Sequence, residues 1–159
     1  MAEPKGWQVL EALAAVLAGM TGTRPWGGRY PSDPVVDHKF RSPRTSEDFL
    51  RIRVLEGSGS STEIISLEGE FEQTLRVKIE ASIIGDLDQP PQGWIQRVKQ
   101  DLLVTVVKNW ALGALDTELD ERYRIDWTSS ESEAEGDFGQ QVLLTMSYAY
   151  KFREALALA

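Results

Sequence analysis

The chain contains no cysteine and only one histidine. The first absence excludes disulfides, thiolate nucleophiles and every cysteine-based zinc site, and it fits a reducing compartment. The second leaves little for imidazole chemistry. His38 lies between Asp37 and Lys39 in a proline-rich stretch, and a Ser–His–Asp site needs a rigid mount. Long apolar runs are missing too. The longest helical one, Trp7 to Met20, carries Glu11, whereas a membrane-spanning helix needs roughly 20 apolar residues. Glu3 and Lys5 cancel near the N-terminus, so no cationic leader region stands out. A protein made and used in a cytoplasm is expected.

What is present is ordinary in kind and uneven in distribution. The 159 residues are 42% hydrophobic and 26% charged, with five Trp, which predicts a single domain over 1–159 with a real core. The net charge is −8. Residues 24–53 hold seven Lys/Arg against four Asp/Glu, and residues 54–159 hold nine against nineteen. An acidic body disfavours conventional nucleic-acid binding. A basic segment and an acidic body on one chain suit attraction between copies.

The hydropathy pattern predicts a helix over 4–20, with Pro4 in its first turn and Trp7, Leu10, Leu13, Ala14 and Leu17 at helical spacing. Residues 21–47 hold four prolines and read as an extended Pro/Gly-rich loop, with "VVDHKF" as a short strand. So long a loop usually has a use. Trp26, Tyr30 and Phe40 lie there among Arg24, Arg29, Lys39, Arg41 and Arg44, and aromatics with arginines are enriched at interfaces. In "DFLRIRVLEG", Leu50, Ile52 and Val54 share a face and Arg51 and Arg53 take the other. "GSGSST" reads as a flexible hairpin turn and "TEIISLEG" as a short strand. "FEQTLRVKIEASIIG" alternates cleanly, with Leu75, Val77, Ile79, Ala81 and Ile83 to one side, as in an antiparallel strand with one wet face. A second helix is expected from Trp94 to Leu112, its stripe made by Ile95, Val98, Leu102, Val106 and Trp110 and its end capped by Gly113. "ERYRIDWTSS" and "QQVLLTMSYAYKF" then form a hairpin around an acidic loop, 129–139. Strands mostly follow strands, so the expected class is α+β: a mostly antiparallel sheet with two main helices packed on one face.

The catalytic motifs are weak. Asp137-Phe138-Gly139 spells the magnesium signature of kinases, but the glycine-rich loop, strand lysine and catalytic loop are missing; turn chemistry explains the triplet better. "GSGSS" lacks the Gly-Lys-Ser/Thr of a nucleotide loop. Loops begun at Asp86 or Asp116 put Pro91 or Glu121 where calcium loops of the EF-hand type need glycine. No catalytic residue, metal ligand or cofactor is assigned. A small hydrolase using a carboxylate pair is the alternative from another class.

The strand "LRVKIEASI", the helix "WIQRVKQDLLVTVVKNWALGAL", the strand "RYRIDWTSS" and the last strand "VLLTMSYAYKFREAL" together resemble the tail terminator (tail completion, or minor tail) proteins of long-tailed, lambda-like bacteriophages. The resemblance covers residues 70–153 best and the N-terminal helix loosely; the loop at 21–47 departs from it. It implies a non-catalytic virion protein of the tail, assembled in the host cytoplasm. Such proteins form a ring, commonly a hexamer, that caps the tail tube, ends its polymerisation and offers a docking surface to the head. The partners implied are further copies, the tube protein and a head-side connector, with DNA only passing through. A head–tail connector or neck protein is the nearer alternative. Candidate interface residues are Arg24, Trp26, Arg29, Tyr30, Arg41 and Arg44 in the basic loop and Glu131, Glu133, Glu135 and Asp137 in the acidic one.

Overall fold

A computed structural model describes residues 3–20, 30–38, 49–67, 69–85, 92–112, 115, 118–119, 126–133 and 140–155. The elements run α1 (Lys5–Ala18), β1 (Val35–Asp37), β2 (Leu50–Glu56), β3 (Ser61–Ser66), β4 (Glu70–Gly85), α2 (Gln92–Lys108), β5 (Glu118–Leu119), β6 (Asp126–Glu133) and β7 (Gln140–Ala155). The class is α+β, with a sheet that is antiparallel except where β1 runs parallel to β2.

The frame of the sheet is β4 against β7, paired at sixteen consecutive positions from Glu70↔Ala155 to Gly85↔Gln140. At about 3.4 Å per residue the ribbon is roughly 50 Å long. Leu75, Val77, Ile79, Ala81 and Ile83 of β4 are buried, and so are Leu144, Met146, Tyr148, Tyr150 and Phe152 of β7. Antiparallel register places the two sets opposite one another on one face. Leu50, Ile52 and Val54 of β2 extend it.

Both helices cover this face. α1 packs on β2 and against α2, and α2 lies over β7. α1 buries Val9, Leu10, Leu13, Ala14 and Leu17. A helix of this length is marginal alone, and each buried aliphatic of Val or Leu size contributes about 1.5–3 kcal/mol. Its N-cap, Pro4, has no side-chain acceptor. The Lys5 amide instead donates to Glu154 Oε1 of β7 at 2.9 Å. That carboxylate satisfies an orphan N–H and faces the positive end of the helix dipole.

Two boundaries differ from the sequence expectation. α2 stops at Lys108, short of Leu112. Asn109 Nδ2 donates to the Thr105 carbonyl at 2.8 Å, and Leu112 takes φ 50, so a buried leucine occupies the left-handed position expected of glycine. Gly113 lies outside the described residues. Trp110 accordingly leaves the apolar stripe and is 43% exposed. The "GSGS" stretch is also not a hairpin turn. β2 and β3 both pair with β4, from Glu56↔Val77 on to Ser61↔Thr74. The stretch is an offset in one long edge, held where Gly57 N donates to Arg76 O at 2.8 Å and Arg76 N donates to Ser60 Oγ at 3.0 Å. Gly59 sits at φ 92 against the Arg76 side chain. The true hairpin follows β3, where Gly69 at φ 134 turns the chain into β4.

Candidate assembly surface

Three of the ten candidate residues, Tyr30, Glu131 and Glu133, fall among the described residues; Arg24, Trp26, Arg29, Arg41, Arg44, Glu135 and Asp137 lie outside them. The structure corrects the reading of Tyr30. Its ring is buried at 5% exposure and its hydroxyl donates to Asp101 Oδ2 of α2. Phe49 and Trp94 complete the cluster, their ring centroids 5.6 and 6.0 Å from that of Tyr30 and 4.9 Å from each other. The Arg97 guanidinium lies 5.1 Å over Trp94. Tyr30 therefore anchors its segment to α2 rather than offering a ring to a neighbour. Asp101 escaped notice because it sits beside the apolar stripe. The readable signal is the set Val98, Asp101, Thr105, spaced i, i+3, i+7, all three buried.

The acidic loop is shorter than expected. Ser129–Glu133 belong to β6, with Glu131 opposite Val142 and Glu133 opposite Gln140. The strand expected in "ERYRIDWTSS" therefore runs on past Ser130, an extension that its Ser/Glu composition hides and whose pairing is made by backbone. The Asp-Phe-Gly triplet falls in the connection from β6 to β7, outside the described residues.

The sheet face away from the helices carries charge in alternation. Glu80 pairs with Arg53 at 3.5 Å and Lys78 at 3.1 Å. Glu72 pairs with Lys151 at 3.3 Å and Arg153 at 3.5 Å. Arg76 Nε donates to Ser147 Oγ at 3.2 Å. These pairs are partly exposed and each is worth at most about 1 kcal/mol. Their effect is to neutralise the face locally. Arg51 takes the face opposite Leu50 and Ile52 as expected, yet it is only 4% exposed, its Nε 3.3 Å from Asp37 Oδ2. β1 lies along this edge and brings the buried Asp37 to it.

At the far end of the ribbon the β3–β4 turn leaves Ile64 60%, Ile65 43% and Leu67 91% exposed. All but the last residue of β3 are exposed, and the strand carries Glu63 as its one charge. An open groove of about 390 Å³ beside the turn is lined by Ser66, Gly69, Glu70, Arg153, Glu154 and Ala155. A second apolar exposure, Val107 at 53% with Trp110, lies at the end of α2 next to the exposed Lys108. In the core, Tyr148 and Tyr150 meet edge to face at 5.9 Å. Neither hydroxyl has a hydrogen-bond partner among the described residues. Burial pushes both phenols above their ordinary value, with Tyr150 adding to the effect on Tyr148.

Among the described residues, no group of three or more His, Asp or Glu could hold a metal ion, and no helix is long and apolar enough to cross a membrane. No family model matches the chain, and no curated protein is significantly similar to it.

Proposed function

We propose that this chain is a phage tail terminator: a ring-forming virion protein that caps the tail tube, stops its growth and presents a surface for the head. The observation that carries the reading is the route of the chain through the sheet. β4 leads into α2, which packs over β7, and β7 returns along the whole length of β4 with β6 on its far side. That is the strand–helix–hairpin order on which the resemblance rests.

Two further features support it. A one-layer sheet with helices on a single face can turn its other face to a channel. Here that face holds cross-strand acid–base pairs rather than a basic stripe, so few cations are left to grip phosphates by counterion release. Among the described residues the exposed large hydrophobics fall in two segments, β3 with its turn and the end of α2, and a ring needs two different complementary surfaces joined head to tail. In this reading the partners are further copies in a hexamer-like ring, the tube protein and a head-side connector. No cofactor takes part. The protein resides in the virion tail after assembly in the bacterial cytoplasm. Electron micrographs of particles lacking the protein test it: overlong tails support the reading, and tails of normal length overturn it.

A further inference from the structure

We infer that neighbouring copies meet through one specific contact: the β3–β4 turn of one copy seats on the C-terminal end of α2 of the next. The inference rests on the ring reading for its geometry. It is drawn from five side chains. Ile64, Ile65, Leu67, Val107 and Trp110 are the exposed large hydrophobics among the described residues. They form two groups along the chain, one at the tip of the long ribbon and one at the C-terminal end of α2. A projecting apolar tip and a Trp-bearing helix end have the composition of interface hot spots, where aromatic anchors dominate.

Charge selects the pairing. The tip carries the exposed Glu63, and the helix end carries the exposed Lys108. A tip-to-tip contact sets Glu63 against Glu63, and a contact between two helix ends sets Lys108 against Lys108. Tip to helix end places the opposite charges of Glu63 and Lys108 at the rim of an apolar centre, and like charges across an interface are costly. Such a contact is heterologous, so repetition closes a ring or continues as a filament. β3 has neither lysine nor proline along its edge, and its register shift between Ile64 and Ser66 breaks the regular strand edge, so side chains rather than strand addition carry the contact.

Sedimentation velocity of the purified full-length chain over a concentration series tests the contact without any tail component. Leu67→Glu is expected to weaken self-association at least tenfold with an unchanged melting temperature, because Leu67 is already solvent-exposed. Glu63→Lys and Lys108→Glu are each expected to weaken it several-fold, and the double variant Glu63→Lys/Lys108→Glu to restore it. A double variant as weak as the single ones overturns the pairing. So does a parent chain that stays monomeric throughout, or association untouched by Leu67→Glu. Because tail length is not the readout, loss of this contact and failure of the terminator reading give different results.

Discussion

Replacing Tyr148 or Tyr150 with phenylalanine should stabilise this protein. Both rings are buried in the face covered by the helices, and neither hydroxyl is hydrogen-bonded among the described residues. A buried polar group without a partner costs about 1–3 kcal/mol. Phenylalanine keeps the ring volume and the edge-to-face contact at 5.9 Å while removing the stranded oxygen. Each substitution should therefore add about 1 kcal/mol. With a urea slope of about 2 kcal/mol/M, the midpoint rises by about 0.5 M with the slope unchanged. The two sites touch, so the double substitution need not be additive. Alkali gives an independent readout. Unfolding frees both phenols to ionise near their ordinary value of 10.0, whereas burial holds them protonated in the fold. Above pH 10 the unfolded chain binds fewer protons, so stability falls as pH rises, by up to about 1.4 kcal/mol per pH unit for each phenol. The Tyr148→Phe/Tyr150→Phe variant should lose stability less steeply there. A loss of about 1 kcal/mol at neutral pH on either substitution would refute the reasoning, because it would mean that the hydroxyl is hydrogen-bonded.

Three other substitutions probe what ties the helices and edges to the sheet. Tyr30→Phe removes a donor from the buried Asp101 carboxylate and should cost about 1.5–3 kcal/mol by urea unfolding. Glu154→Ala removes the strand-borne cap of α1; a loss of about 1 kcal/mol in thermal or urea unfolding is expected. Asp37→Ala leaves Arg51 buried without its carboxylate and should cost about 3–5 kcal/mol, whereas Asp37→Val/Arg51→Met should recover most of that in the same assay.

The parts of the fold legible in the sequence are those where one face is dry. Leu75 through Ile83 alternate at the strand period because one side of β4 meets helices and the other meets charged partners. The same holds for Leu50, Ile52 and Val54. α1 was legible from its helical spacing, although Val9, which is fully buried, broadens the stripe beyond the expected positions. What escaped leaves no hydropathy signal of its own. The part of β6 beyond the expected strand, Glu131 to Glu133, is polar and pairs by backbone with β7, so no hydropathy signal marks it. Tyr30 sits among arginines in sequence, yet its partner lies 71 residues away. The end of α2 depends on an asparagine side chain and a left-handed leucine, neither of which the apolar stripe reports. Among the candidate interface residues, Glu131 and Glu133 were legible as acidic but not as strand, because alternating Ser and Glu look like a loop. The exposed tip was visible only as a short strand. That Ile64 and Leu67 are uncovered follows from β3 lying at the end of a ribbon longer than the helices that cover it.

The proposed function requires this chain to end tube growth by seating on the tube's open end. The most direct test adds purified protein to tail tubes elongating from pure tube protein and follows their length by electron microscopy. The account predicts that elongation stops within the population and that a ring of density caps the growing end. Tubes that continue to lengthen at the uncapped rate, with no added density at either end, would contradict it.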